Sequence, residues 1–179
     1  MNQLDFRLVT MDDLYDLQAL SIQTFRDTYE SLNDPLHFRA FLHRAFSIPQ
    51  LEKELKHANS AFYFAMLEEK VVGFLKLNFN KGVQELNPAT SVELERIYLV
   101  KNQQGKGLGN QLIQKAVQIA TQVPYEQIWL GVWKENPRAI HFYQKSGFQI
   151  FGEHLFYVGN DAQEDFLMFK KLQLKAQYP

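Results

Sequence analysis

Three glycines within five residues, Gly105, Gly107 and Gly109, separate a strand-like apolar segment from a helix-like one. The first turn of a helix presents unpaired backbone N–H groups and the positive end of the helix dipole, an arrangement that favours a phosphate group. Glycine has no side chain to keep an anion away from that backbone. The spacing therefore predicts either a phosphate-binding turn or a purely structural reversal of the chain, which glycine-rich turns also serve.

Two common phosphate-binding patterns do not fit this turn. A P-loop requires GxxxxGK followed by Ser or Thr, whereas Gly105-Lys106 is followed by Gly107. A dinucleotide-binding GxGxxG motif would place its third glycine at Asn110, and no acidic residue ends a strand about 20 residues later. These mismatches argue against a P-loop nucleotide and against NAD.

A second group of candidate residues lies downstream, in the segment NPRAIHFYQKSGF at 136–148. On a helix, Asn136, Ala139 and Tyr143 are three to four residues apart and share one face. With the segment 104–109, QGKGLG, this pattern resembles the GNAT superfamily of N-acetyltransferases, whose motifs are Q/R-x-x-G-x-G/A and N-x-x-A-x-x-F-Y-x-x-x-G-F. Segments such as LERIYLV and HLFYVGNDAQEDFLM also resemble the bacterial PaiA-type spermine/spermidine acetyltransferases, over nearly the whole chain.

The resemblance implies acetyl-CoA as co-substrate and indicates where it would bind. The amides of the glycine turn would hold the pyrophosphate, and the strand 97–99 would pair with the pantetheine arm. Lys106 and Lys145 would add charge near a phosphate or would be ordinary solvated lysines. The implied cofactor-binding residues are Ile97, Tyr98, Leu99, Gln104, Gly105, Lys106, Gly107, Leu108, Gly109, Asn110, Asn136 and Lys145.

Acetyl transfer to an amine requires both a base and an acid. An alkylammonium has a pKa near ~10 and a thiol one near ~8.5, so the amine must lose a proton and the leaving thiolate benefits from gaining one. The resemblance implies Tyr143 as the acid and Glu95 as the base, acting through water, with Glu93 two residues earlier on the same strand face as the second choice. Taken alone, Tyr143 would be a packed aromatic residue and the glutamates would be solvated or paired with Arg96.

The acceptor amine is expected to bind near the first two helices. Asp27 and Glu30, with Asp34 nearby, would attract a polycation, although acidic residues in such a region are commonly just solvated. Together with Glu93, Asp27 and Glu30 are the predicted substrate-binding residues. The predicted activity is transfer of the acetyl group of acetyl-CoA to a primary amine of spermidine or spermine by direct attack in a ternary complex. The alternatives are acetylation of protein N-termini or lysine side chains, and a non-catalytic acyl-CoA-binding regulatory module.

Periodicity and helix-boundary residues predict the elements that position these groups. The strand–helix–strand order from Ser91 to Trp133 predicts a right-handed crossover between parallel strands. The resemblance implies the GNAT acyl-CoA N-acyltransferase fold, an α/β (or α+β) fold with a mixed, mostly antiparallel sheet of six to seven strands and helices on both faces, in one domain over 1–179. The predicted strands are 6–9, two in the hairpin 60–80, 91–100, 127–133, 148–152 and 165–170; the predicted helices follow Thr10, Asp34, Pro49, the glycine turn and Asn136.

The composition limits the partners further. The chain has 19 Lys and Arg against 20 Asp and Glu, so we expect neither nucleic acid nor a membrane as partner. The absence of cysteine removes disulfides and thiolate chemistry and favours a cytoplasmic location, and the five scattered histidines predict no metal site. The family resemblance makes a homodimer plausible.

Overall fold

The computed structural model of the protein describes residues 3–84, 86–122 and 125–173. Val123, which we expected on the buried face of the helix after the glycines, lies outside the described residues.

The described residues form one mixed sheet with helices packed on it. The strands are β1 (Asp5–Leu8), β2 (Ser60–Leu67), β3 (Lys70–Phe79), β4 (Ser91–Leu99), β5 (Gln127–Trp133), β6 (Gln149–Val158) and β7 (Asp161–Lys171). The α-helices are α1 (Leu14–Tyr29), α2 (Pro35–Ala45), α3 (Ile48–Lys56), α4 (Leu108–Ala120) and α5 (Pro137–Lys145). The strand order is β1-β2-β3-β4-β5-β7-β6, and β4 and β5 pair in parallel while the other neighbours are antiparallel. The predicted fold class and the parallel crossover are confirmed.

Helix boundaries follow the capping residues in the sequence. The Asp34 carboxylate accepts hydrogen bonds from the amides of Leu36 and His37, and the Ser47 hydroxyl accepts one from Gln50, each just before a proline in the first turn. Such caps satisfy N–H groups that the helix itself leaves unpaired. A short 3-10 turn at 11–13 precedes α1, so this helix begins four residues after the predicted cap at Thr10.

The sheet separates two apolar cores because side chains alternate between its faces. Helix α4 packs on one face, where α5 also contributes partly buried residues, and α1, α2 and α3 pack on the other. On β2, for example, Phe62 and Phe64 point to the α1–α3 side whereas Ala65 packs on the α4 side. Helices therefore pack on both faces of the sheet in the described part of the chain.

The last two strands are much longer than the predicted 148–152 and 165–170. They form a hairpin, Gln149–Val158 with Asp161–Lys171, whose turn contains Gly159 at φ +65°. The outer part of β6 exposes large apolar side chains such as Leu155 and Tyr157, so its pattern does not alternate like that of a half-buried strand. Pairing with β7, rather than burial, keeps this segment extended.

No α-helix in the described residues is both long and apolar enough to cross a membrane.

Candidate active site

The two parallel strands separate towards their carboxyl ends. β4 and β5 pair only at Ser91–Gln127, Val92–Ile128 and Glu93–Trp129. Beyond that point the two strands diverge, so the backbone groups on the β5 side of residues 97–99 have no partner strand. Unpaired strand edges of this kind can form hydrogen bonds with an extended ligand that contains amide groups.

The glycine turn lies between the end of β4 and the start of α4. Gly105 and Gly107 have φ values of +76° and +80°, and a Cβ atom at either position would meet no atom within 4 Å. No side chain caps α4 at Gly107. The glycines are therefore required by the backbone conformation, and the open space before the uncapped helix suits an anion such as a pyrophosphate.

Neighbouring side chains support this turn rather than filling it. Gln104 Nε2 donates to the Leu99 carbonyl oxygen at 3.1 Å, which joins the end of β4 to the turn. Leu108 is 1% exposed and belongs to the core, while Gly109 lies against the Phe142 ring, 3.2 Å from the position of a Cβ atom. Asn110 is exposed, with its amide bonded to the Gly107 carbonyl at 3.2 Å.

The two candidate lysines lie on the surface. Lys106 is exposed and donates to the side chain of Gln103 at 3.1 Å, and Lys145 is exposed in the last turn of α5. Because both side chains are exposed, each can either approach a phosphate or remain in solvent.

Helix α5 presents Tyr143 to the gap between the strands. Asn136 caps this helix by accepting a hydrogen bond from the Ala139 amide at 3.1 Å. Tyr143 packs against Phe148 and lines the cavity at the gap together with Ala139. Burial raises the pKa of the Tyr143 hydroxyl well above its usual value, so the group is neutral at physiological pH and can donate a hydrogen bond or a proton.

Glu95 lies at an irregularity in β4. Lys76 pairs with Arg96 and Leu77 pairs with Leu94, so Glu95 is the extra residue of a β-bulge. Its carboxylate lies 2.6 Å from Lys76 Nζ and 3.1 Å from Arg96 Nη2. Burial alone would raise the pKa of Glu95, but Arg96 and Lys76 outweigh it and the pKa is lowered, so the group stays ionised in the neutral range.

A buried ion network holds Glu95 in place. Glu54 of α3 lies 3.0 Å from Lys76 and 2.9 Å from Arg96, and the side chains of all three are at most 11% exposed. Two carboxylates therefore share two cations between α3 and the sheet, with the Glu95 side chain as the most exposed member at 28%. Adjacency along the chain predicted Arg96 as a partner for Glu95, whereas Lys76 and Glu54 were missed because they come from other elements.

Glu93 shares a hydrogen-bond donor with Glu95, but the pKa values of the two carboxyl groups shift in opposite directions. Asn78 Nδ2 donates to Glu93 at 2.6 Å and to Glu95 at 2.5 Å, which brings both carboxylates to one side of the strand as expected. Burial raises the pKa of Glu93, and the charge of Glu95 raises it further. Glu93 does not line the cavity at the strand gap, whereas Glu95 does.

The cavity at the gap is bordered by aromatic and acidic side chains. Burial raises the pKa of Tyr29 and Tyr98, which therefore line it as neutral phenols. Among the described residues that line it, Glu95 and Asp165 are acidic and none is Lys or Arg. The lining residues are Phe25, Tyr29, Asn33, Leu94, Glu95, Ile97, Tyr98, Gly131, Val132, Trp133, Ala139, Tyr143, Phe156, Val158, Gln163 and Asp165.

The structure does not bring the predicted acidic residues of α1 to this cavity. Phe25 and Tyr29, four residues apart, face it, so Asp27 between them points away and is exposed. Glu30 is exposed and pairs loosely with Arg26 at 3.8 Å. Asp34 is used as the cap of α2.

Asp165 is the acidic residue of the cavity that sequence reasoning missed. It lies on β7, opposite Trp133 of β5 and His154 of β6. One signal was available, because Gly131 interrupts an otherwise apolar strand and an interior strand glycine often marks a close approach. A Cβ atom at Gly131 would lie 3.2 Å from His154 Nε2 and 3.3 Å from Asp165 Oδ2.

Sequence comparison identifies acetyltransferases as relatives of this chain. The profile of the acetyltransferase (GNAT) family matches residues 16–148. The "uncharacterized N-acetyltransferase in pepI 3′ region" of Lactobacillus delbrueckii subsp. lactis is 37% identical over 92% of this chain and 95% of its own length. The spermine/spermidine N(1)-acetyltransferase of Bacillus subtilis (strain 168) is 33% identical over 48% of this chain and 57% of its own length.

A solved structure gives the same fold. The PaiA N-acetyltransferase of Thermoplasma acidophilum, in complex with coenzyme A, superposes with a TM-score of 0.77 at 22% identity, covering 94% of this chain and 99% of that one. The match of the family profile over most of the chain, on a fold whose central strands separate beside a glycine turn, shows that the protein belongs to the GNAT family of acetyltransferases.

Proposed function

We propose that this enzyme transfers the acetyl group of acetyl-CoA to a primary amine of a small polyamine such as spermidine or spermine, by direct attack in a ternary complex. The observation that carries the proposal is the cavity at the strand gap, which is lined by two carboxylates, several aromatic rings and no lysine or arginine among the described residues. Such a lining favours a cationic, partly apolar ligand over an anionic one.

The residues around the glycine turn fit the co-substrate. Acetyl-CoA would supply the acetyl group as a thioester. The amides following Gly105 and Gly107 would hold its pyrophosphate, and the edge of residues 97–99, which β5 does not pair, would bind the pantetheine amides. Asn136, Lys106 and Lys145 are proposed as further cofactor contacts, the first through its side-chain amide and the lysines through charge.

Tyr143 and Glu95 provide the two protonation functions. In the proposed reaction the amine nitrogen forms a C–N bond with the acetyl carbon while the C–S bond breaks. The proton that leaves the nitrogen passes through a water molecule at Glu95 to the solvent, and the departing sulfur accepts a proton from Tyr143, whose phenolate then regains a proton from the solvent. Glu95 is a weak base because Lys76 and Arg96 lower its pKa, so its proposed role is to orient the accepting water rather than to store the proton. Glu93 has the higher pKa of the two but lies outside the cavity.

A panel of acceptors tests the proposal. The purified enzyme is incubated with acetyl-CoA and one acceptor, which is spermidine, spermine, a lysine-containing peptide or a peptide with a free N-terminus. The acetylated products are identified by mass spectrometry. We expect acetylated polyamine at a rate well above that of either peptide. Acetylation of the peptides alone would refute the polyamine substrate, and CoA binding without any product would favour a non-catalytic module.

A further inference from the structure

The two carboxylates of the cavity differ in the cations that already surround them. Glu95 lies within 3.1 Å of both Lys76 and Arg96, so its charge is offset before any ligand arrives. Asp165 is 8% exposed, and in the described part of the chain the only basic side chain within ion-pair distance is His154, at 3.6 Å. A buried carboxylate with so little compensation is costly, and a ligand that brings a positive charge lowers that cost.

The position of Asp165 suits an amine that enters at the open end of the gap. It pairs in register with Trp133, the last residue of β5, where β4 and β5 no longer pair. The rings of Tyr29 and Trp133 are 6.3 Å apart and line the same cavity. A carboxylate beside aromatic rings is a combination that binds an alkylammonium group.

The surroundings of Asp165 leave space for its carboxylate and for His154. A Cβ atom at Gly131 would lie 3.3 Å from Asp165 Oδ2 and 3.2 Å from His154 Nε2. The His154 Nε2 atom is buried and forms no hydrogen bond with a described residue. The missing side chain at position 131 thus lets both groups approach the end of β5.

From this geometry we infer that Asp165 binds an ammonium group of the acceptor that is not the one being acetylated. The inference rests on the proposed function, since it requires an acceptor with at least two amino groups. The reacting nitrogen must be neutral near Tyr143 and Glu95, whereas the second nitrogen stays charged and pairs with Asp165. Asp165 is therefore a specificity residue that selects diamines and polyamines over monoamines of the same length.

The test compares two acceptors that differ only in the second amino group, hexamethylenediamine and hexylamine. In the parent enzyme we expect kcat/KM for the diamine to exceed that for the monoamine by about 10- to 100-fold, the usual effect of a hydrogen bond to a charged group. In Asp165→Asn this ratio should fall to about one, mainly because kcat/KM for the diamine falls, while the Kd for CoA stays the same. Asp165→Glu should restore part of the preference.

Glu164→Gln is the matched control. Glu164 is adjacent on β7, has a side chain that is 64% exposed and pairs with Lys134, so its substitution removes the same charge without touching the cavity. Its diamine preference should equal that of the parent.

Each outcome has a distinct meaning. If folded Asp165→Asn kept the preference for the diamine, the inference would be overturned. Equal kcat/KM values for the two amines in the parent enzyme would also overturn it, and that measurement does not depend on the folding of a variant. If the parent acetylates neither amine but acetylates peptides, the proposed function itself fails. Loss of preference in Glu164→Gln as well would show a general effect of charge and would also refute a specific role of Asp165.

Discussion

The proposed cofactor site and the proposed amine end of the cavity are built in different ways. The proposed cofactor end relies mainly on the backbone of one continuous stretch, from the edge of β4 at 97–99 to the first turn of α4. The amine end uses side chains from several elements, with Tyr29 on α1, Glu95 on β4 and Asp165 on β7. Recognition by backbone depends on local conformation, whereas recognition by side chains depends on how distant elements pack. Substitutions at the two ends should therefore have separable effects on CoA and on the amine.

Tyr143→Phe should have the largest effect because Tyr143 lies where the two ends meet. Loss of a proton donor should lower kcat by about 10²- to 10³-fold, while KM for the amine and the Kd for CoA change little. Steady-state kinetics that follow free thiol release measure the effect. Tyr15→Phe is the control, since Tyr15 is 72% exposed and does not line the cavity. An unchanged kcat in Tyr143→Phe would refute the acid role.

Glu54→Gln should show how strongly the amine end depends on packing between elements. It leaves Lys76 and Arg96 with one carboxylate instead of two, and removing one partner of such a buried ion pair costs about 3 kcal/mol in the free energy of unfolding. Glu52→Gln on the same helix should cost roughly 0.5 kcal/mol or less, because its pair with Lys56 is exposed to solvent. Urea denaturation measures both, and similar values would contradict a structural role of the network.

Glu95→Gln should lower kcat/KM for the amine by about 10- to 100-fold without weakening CoA binding. The pKa of Glu95 is lowered, so the group is already ionised from weakly acidic to alkaline pH and contributes no change in activity there. The kcat/KM of the parent should instead rise with pH as the amine loses its proton, towards its own pKa near ~10.

The pH profile of Glu95→Gln should therefore keep the parent's shape at a lower level. A parent profile with an acid limb near neutral pH that disappears in Glu95→Gln would contradict the interpretation. Glu93→Gln provides the comparison, since Glu93 shares Asn78 with Glu95 but lies outside the cavity. Its effect on kcat/KM should be smaller.

Gly107→Ala should have the smallest effect and should act on the cofactor alone. Gly107 has φ +80°, and a side chain in the left-handed region costs about 1–2 kcal/mol, so we expect CoA to bind about tenfold more weakly. Isothermal titration with CoA measures the loss, and KM for the amine should not change. Gly107→Asn should lose less, because asparagine tolerates this conformation better. If Gly107→Ala changed KM for the amine more than the affinity for CoA, the predicted separation between cofactor binding and amine binding would be wrong.

The sequence predicted much of the fold because its signals are local. Capping residues such as Asp34 and Asn136 marked helix starts, and the strand 127–133 was predicted with the bounds that the structure has. The final hairpin was predicted too short because the outer part of β6 is stabilised by pairing with β7 and not by a buried face.

The candidate site also has features that follow from the local sequence and features that depend on contacts between distant elements. The positive φ angles of Gly105 and Gly107 and the position of Tyr143 on one helix face follow from spacing along the chain. The environment of Glu95 does not, because Lys76 and Glu54 reach it from β3 and α3. Asp27 and Glu30 were favoured for charge alone, but Asp27 lies on the outward face of α1 and Glu30 lies in the short turn that follows it, so both are exposed to solvent.

By itself, the sequence determined the glycine turn, the helix that carries Tyr143 and the order along the chain of the strands around them. These depend on backbone preferences within a few residues and on periodic burial. The tertiary structure decided which carboxylates line the cavity, since Glu95 and Asp165 are 70 residues apart and border the same space only because the sheet places β4 and β7 on either side of β5. The two carboxylates then differ in the cations beside them. Lys76 and Arg96 lie next to Glu95, whereas His154 is the basic residue near Asp165, and Lys76 and His154 come from other strands.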